Sequence, residues 1–302
     1  MANSPEASPA GTPPARIYCS EHNDSEPMAG TADTVDVWLC LEYRPTWKAR
    51  AQNDNSLSAE TSAWLEKTLA GFQADGLKCR PQFIRQPETE SESVRLLLSV
   101  GGQTYQFSDS GYDYLAALDL PGLVRAEKET PGALAAVAER LTEPQYLVCT
   151  NGQRDLCCAR FGLPVYAGLK ERVGTRAWQV THLGGHRFAP NLLTLPDACL
   201  YGRVSAEDLD AFLAHTEQRT CAFPHLRGRT CYPPVVQAAE ALLGRDGLRL
   251  LHVEELGDVT RVRFDDGAGT IAIDVRKAER AEQVLKSCGD EIQAEVFPYV
   301  RA

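Results

Sequence analysis

Two short stretches of the chain carry soft metal ligands. The first runs Cys149-Thr-Asn-Gly-Gln-Arg-Asp-Leu-Cys-Cys158, and the second runs His182-Leu-Gly-Gly-His186. Two thiols and two imidazoles, each pair held by a short loop, form the ligand set of a tetrahedral zinc ion or of an iron–sulfur cluster. Because Cys157 and Cys158 are adjacent, the spacing alone does not decide which of them pairs with Cys149.

Other chemistries fit these residues less well. A zinc protease needs Glu after the first His, where Leu183 stands, and a phosphatase loop needs Arg six residues after the Cys, where Asp155 stands. No CxxC pair is present, and nothing marks the third residue of a Cys–His hydrolase. Structural zinc, a thiol oxidoreductase using Cys157 with Cys158, and unligated buried cysteines remain as alternatives.

The predicted elements place these residues at the ends of strands. Residues 145–150 are predicted to form a strand with Cys149 near its end. Residues 157–173 are predicted to form a helix, and residues 177–181 a strand that leads to His182. In α/β proteins, bound molecules commonly occupy the loops at the carboxyl ends of the sheet strands. Gly184 and Gly185 predict a tight loop rather than a helix between the two histidines.

The same element order, β-α-β-β-α, is predicted twice along the chain. This is the order of the thioredoxin core, so the predicted fold class is α/β (α+β) with a thioredoxin-like core. In the first copy the strands are 35–43, 77–85, 94–100 and 103–107, and the helices are 58–74 and 131–141. In the second copy the ligand-bearing strands and helix are followed by a hairpin, 191–196 and 200–204, and a helix, 205–216.

We predict four segments from these patterns. They are a disordered tail rich in Pro, Ala and Ser at 1–16, an N-terminal thioredoxin-like domain without the ligand motif at 17–142, a thioredoxin-like ferredoxin domain at 143–230, and a C-terminal α+β extension at 231–302. The extension is expected to contain a helix at 233–244, three strands between 248 and 275, a helix at 279–287 and a last strand at 292–300.

Composition excludes some classes of function. The 302 residues carry a net charge of -10, which argues against nucleic-acid binding, because neutralising phosphates requires a basic face. No secretory signal and no apolar run long enough to span a bilayer is visible, so we expect a soluble cytoplasmic protein with no membrane partner. The ten cysteines should then be mostly reduced thiols.

The residues around the ligands resemble the sucrase/ferredoxin-like family. The similarity rests on CTNGQRDLCCARFGLPVY and WQVTHLGGHRFAPNLLTLPD, and extends to YGRV, to Arg227-Gly-Arg, to YPPVVQAAEALL and to the N-terminal GTAD and WLCLEY. The resemblance implies a thioredoxin-like ferredoxin with a [2Fe-2S] cluster. Its ligands would be Cys149, Cys158, His182 and His186, which leaves out Cys157.

These residues together predict a one-electron carrier rather than an enzyme. Its expected partner is a redox protein, either a reductase or an electron acceptor. Neutral imidazoles in place of two thiolates raise the potential, as in Rieske centres, and a ligand His with a free nitrogen can couple electron and proton transfer. A redox sensor that binds a partner is an alternative. Arg154, Asp155 and Arg187 flank the ligands and are expected to hydrogen-bond the loops or to tune the charge of the site.

Overall fold

The computed structural model of the protein describes residues 17–89, 91–290 and 292–302. The predicted tail at 1–16 lies outside the described residues. The described chain is a mixed α+β protein built on a ten-stranded sheet, with a separate four-stranded sheet and a two-stranded ribbon formed by the C-terminal residues.

The first half of the large sheet pairs strands in a parallel and an antiparallel sense. Strand β1 is parallel to β2 and antiparallel to β3, and β3 forms a hairpin with β4. All six residues of β1 are buried, as expected for a central strand covered on both faces. The elements are α1 (Cys19–His22), β1 (Val37–Glu42), α2 (Ala59–Ala74), β2 (Cys79–Arg85), β3 (Ser93–Val100), β4 (Gln103–Ser110), α3 (Leu120–Glu129) and β5 (Glu139–Leu141).

The second half repeats this arrangement. Strand β6 is parallel to β7 and antiparallel to β8, and β8 forms a hairpin with β9. The elements are β6 (Gln145–Cys149), α4 (Leu156–Val173), β7 (Ala177–Val180), β8 (Leu192–Leu195), β9 (Cys199–Tyr201), α5 (Leu209–Thr216), β10 (Leu226–Arg229) and α6 (Pro234–Leu243). The predicted β-α-β-β order is therefore present twice, with the same pairing each time.

The two halves share one sheet. Strands β2 and β7 pair antiparallel through Ile84 with Val180 and Arg85 with Gln179, which gives the order β10-β9-β8-β6-β7-β2-β1-β3-β4-β5. One apolar cluster contains residues of both halves, including Trp38, Leu147 and Trp178. The loops after β6 and β7, which carry the predicted ligands, therefore follow strands in the middle of a continuous sheet rather than at its edge.

The helix predicted at 131–141 is wrong. The helix of this region is α3, which begins earlier, where the Asp119 side chain accepts the Gly122 N–H and Pro121 occupies the first turn. The carboxylate of Glu127, near the end of α3, accepts the N–H groups of Gly132 and Leu134, which follow the helix. These bonds hold the chain in turns, so the apolar spacing of the following residues does not produce a helix.

The C-terminal residues form strands β11 (Arg249–Leu256), β12 (Val259–Asp265), β13 (Thr270–Lys277), β14 (Glu282–Val284), β15 (Ala294–Val296) and β16 (Tyr299–Arg301). The three predicted strands between 248 and 275 are confirmed, and α6 packs its buried Val236 and Ala239 against Val262 and Phe264.

The helix predicted at 279–287 is wrong. Residues 282–284 form β14, which pairs with β15. The Asn23 side chain donates to the Leu285 carbonyl at 2.7 Å and accepts the Leu285 N–H at 3.0 Å. These bonds take the two backbone groups that a helix would use, and they fasten the segment beside α1 and α4.

Candidate metal centre

Cys149 and Cys158 face each other because α4 packs closely against the end of β6. Cys149 is the last residue of β6, Cys158 lies in the first turn of α4, and both thiols are buried. A Cβ atom at Gly162 would collide with the Cys149 carbonyl oxygen. Glycine at this position is therefore what lets the helix approach the strand.

The two histidines lie on a tight glycine loop after β7, as predicted. Gly184 and Gly185 have φ angles of 87° and 65°, in the left-handed region that favours glycine. His186 begins a single 3-10 turn, His186–Phe188. The rings of His182 and His186 lie 5.1 Å apart between centroids.

Three of the four predicted ligands form one compact group. The ligand atoms of Cys149, Cys158 and His182 lie within 4.8 Å of one another. Cys158 Sγ is 3.8 Å from His182 Nδ1. His186 lies outside this group but borders it through its ring contact with His182.

One ring nitrogen of His186, Nδ1, is buried. Among the residues that the structure describes, its Nδ1 has no hydrogen-bond partner. A buried polar atom without a partner costs about 1–3 kcal/mol. The His186 ring lies beside that of His182. A metal ion or cluster held by Cys149, Cys158 and His182 could therefore also be coordinated by His186 Nδ1.

The other nitrogen of His186 faces a buried carboxylate. Its Nε2 lies 3.6 Å from Asp155 Oδ2. Burial is the largest influence on His186 and lowers its pKa, while the charge of Asp155 opposes the shift. Histidines that bind metals commonly present their second nitrogen to a carboxylate in this way, which fixes the ring.

Asp155 is held in place by several donors. It caps α4 by accepting the Cys157 N–H at 3.0 Å, and it accepts the Ser287 hydroxyl and the Cys288 N–H. Burial alone would raise the pKa of Asp155, but the hydrogen bonds from Cys288 and the nearby His186 ring hold it below its usual value. The carboxylate is therefore ionised and rigid.

The pair Cys149 and Cys158 favours a thiolate on Cys149. A hydrogen bond from the Cys158 thiol lowers the pKa of Cys149 well below its usual value; burial opposes this shift, and the His182 ring and the Leu183 N–H add to it. The same bond raises the pKa of Cys158. A thiolate is the form in which cysteine binds metals.

Cys157 points away from this group. Its Sγ lies 3.6 Å from that of Cys19 and 3.1 Å from that of Cys288. Successive residues of a helix are separated by about 100° around its axis. This rotation separates the two adjacent cysteines, Cys158 toward Cys149 and Cys157 toward the termini of the chain.

A buried arginine supports the histidine loop. Arg227, 2% exposed, donates from Nη1 to the Gly184 carbonyl at 2.9 Å and to Asn191 Oδ1 at 2.7 Å. The Asn191 amide donates in turn to the Gly185 carbonyl, and Arg227 also binds Thr31. Burial lowers the pKa of Arg227 to about 9. These bonds fix the backbone between the two histidines.

The flanking residues have different roles from one another. Asp155 contacts the site, Arg187 pairs with the buried Glu26, and Arg154 is exposed.

Sequence reasoning missed the supporting roles of Arg227 and Asn191 and the grouping of Cys19 and Cys288 with Cys157. Asp155 precedes the predicted helix, and an Asp in that place is a capping signal. No local sequence pattern indicated that Cys19 and Cys288 lie beside Cys157.

The chain matches a known protein family. A family model described as Sucrase/ferredoxin-like matches residues 28–228, which include Cys149, Cys158, His182 and His186. No curated protein and no solved structure matches the chain. Within residues 17–89, 91–290 and 292–302, no helix is long and apolar enough to cross a membrane.

Proposed function

This chain belongs to the sucrase/ferredoxin-like family, and we propose that it is a non-catalytic one-electron carrier that holds a [2Fe-2S] cluster on Cys149, Cys158, His182 and His186. The observation that carries the proposal is the convergence of two buried thiols and two imidazoles at adjacent strand ends, where His186 Nδ1 is buried and has no hydrogen-bond partner among the described residues. When bound, such a cluster supplies a one-electron couple.

The donor set suits this group. Cys149 favours its thiolate form, and His182 Nδ1 already lies beside Cys158 Sγ. Nδ1 of His186 is the ring nitrogen left without a partner among the described residues, while its Nε2 lies beside Asp155. Both histidines can thus ligate through Nδ1 and keep Nε2 for a proton.

The surrounding residues order the site and limit access of water. Leu183, between the histidines in sequence, is fully buried, and Arg227 holds the loop backbone. The cation of Arg227, buried against neutral acceptors, favours added negative charge nearby. It therefore favours the reduced state of the carrier.

Other parts of the proposal concern the fold, the location and the partner. The repeated strand order and pairing support a thioredoxin-like core in each half. The domain limits that we propose are 17–142, 143–230 and 231–302. The partner would be a redox protein, either a reductase or an electron acceptor, and the location would be cytoplasmic.

Metal and sulfide analysis tests the cluster directly. Protein purified without air should be red-brown and contain about two irons and two inorganic sulfides per chain, as a [2Fe-2S] centre requires. Colourless protein, with zinc on the Cys149, Cys158 and histidine group and no sulfide, would instead indicate a structural zinc module.

The midpoint potential tests whether a histidine takes up a proton on reduction. Reduction adds a negative charge beside the ligands, which favours protonation at His Nε2. The potential should therefore fall as pH rises, by at most about 59 mV per pH unit for one proton and one electron. Mixed ligation predicts a value within about -150 to +300 mV, against about -400 mV for four thiolates.

His182→Cys and His186→Cys serve as the matched variants in this measurement. Each replaces a neutral ring with a thiolate and removes a protonation site, so each should lower the potential and flatten its dependence on pH. A wild-type potential that does not change with pH would remove the proton-coupled step and leave the cluster proposal intact.

A further inference from the structure

A second group of thiols lies behind the first. The Sγ atoms of Cys19, Cys157 and Cys288 form a triangle with sides of 3.6, 3.1 and 3.7 Å. Oδ1 of Asp155 lies 3.0 Å from Cys288 Sγ and 4.0 Å from Cys19 Sγ. The four ligand atoms all lie within 4.8 Å of one another.

These distances are close to those of a tetrahedral zinc site. With Zn–S of about 2.3 Å and Zn–O of about 2.1 Å, tetrahedral angles place two sulfurs about 3.8 Å apart and a sulfur and an oxygen about 3.6 Å apart. The five separations given above differ from these values by about 0.1 to 0.7 Å. Small changes in the side-chain rotamers of the three cysteines can therefore bring the sulfurs to the separations that a zinc ion requires.

The carboxylate is oriented for this role. Its Oδ2 atom accepts the Ser287 hydroxyl and the Cys288 N–H. Its Oδ1 atom accepts the Cys157 N–H and also faces the sulfurs of Cys288 and Cys19. Ordered hydrogen bonds on the outer atoms of a ligand are a usual feature of metal sites. Cys157 and Cys19 are fully buried, and Cys288 is half-buried at the opening.

We propose that Cys19, Cys157, Cys288 and Asp155 form a second metal site, which binds one zinc ion through three thiolates and one carboxylate. The site joins the N-terminal helix, the start of α4 and the C-terminal segment. Cys19 and Cys288 lie outside residues 28–228, whereas Asp155 and Cys157 lie within them. Zinc displaces the thiol protons, so its affinity falls at low pH.

The proposed ion fastens both ends of the described chain to the ligand-bearing helix. The separations in sequence are large, 138 residues from Cys19 to Cys157 and 131 from Cys157 to Cys288. Cross-links between distant positions restrict the unfolded chain most. Asp155 also touches His186, so the second site shares one carboxylate with the first.

The test isolates the second site by removing the first. Cys149→Ser/Cys158→Ser protein, reduced and stripped of metal without air, is titrated with Zn²⁺ against a chromophoric chelator. It should bind one equivalent tightly, and its melting temperature should rise when zinc is added. Adding Cys19→Ser and Cys288→Ser should abolish both effects, whereas Cys221→Ser, which changes another buried thiol, should leave them unchanged.

X-ray absorption at the zinc edge identifies the ligands without relying on the additional variants. Three sulfurs at about 2.3 Å and one oxygen at about 2.0 Å are expected. A shell of nitrogen and oxygen, failure to bind zinc, or a disulfide among the three cysteines detected by mass spectrometry in the protein as purified would each overturn the proposal. The iron and sulfide content of the wild type is measured separately, so failure of either site is distinguishable.

Discussion

Cys158→Ser protein purified without air is expected to be colourless and to contain no inorganic sulfide, whereas Cys157→Ser protein should keep the red-brown colour and both irons. The reason is geometric. Cys158 Sγ faces His182 Nδ1 at 3.8 Å, while Cys157 Sγ faces Cys19 and Cys288. Serine is a poor substitute for a thiolate in an iron–sulfur site, because soft ligands are preferred there.

The comparison needs folded protein in both cases. Both cysteines are fully buried in α4 and the substitution is the same, so each variant is the control of the other for local packing. Circular dichroism and melting of the metal-free proteins should show similar losses of stability. Retention of the cluster in Cys158→Ser together with its loss in Cys157→Ser would contradict the assignment of the ligands.

Arg227→Met is expected to lower the free energy of unfolding by about 2–4 kcal/mol, because buried acceptors are left without donors. The Gly184 carbonyl, Asn191 Oδ1 and the Thr31 carbonyl all depend on this guanidinium. Methionine fills the space of the alkyl chain but donates nothing, and the relief from burying a charge offsets only part of the loss. Urea unfolding of the metal-free protein measures the change.

Two further variants separate this effect from a general loss of positive charge. Arg249→Met removes an exposed arginine paired with Asp265 and should cost about 0–1 kcal/mol. Arg227→Lys keeps the charge but not the forked donors, so it should lie between Arg227→Met and the wild type. Equal losses for Arg227→Met and Arg249→Met would show that the buried bonds do not support the histidine loop.

Sequence patterns predicted most of the sheet because its strands are locally encoded. The apolar runs that became β1 and β6 are buried on both faces, and the hairpin of β8 and β9 follows its predicted position. The two wrong helices have apolar spacing but lie where side chains capture the backbone. Glu127 does so after α3, and Asn23 does so at Leu285. The spacing of apolar residues within a segment carries no information about side chains elsewhere that bind its backbone.

The chain by itself determined that two soft thiol positions and two imidazoles follow neighbouring strands, and that glycines bend the histidine loop. The tertiary structure decided which of two adjacent cysteines faces Cys149, because helix rotation directs them to different sides. It also brought Asp155 and Arg227 to the site and placed the distant Cys19 and Cys288 beside Cys157. The physical reason is that spacing fixes geometry only within a segment, whereas contacts between segments follow from strand order and from the return of the C-terminal residues over α4.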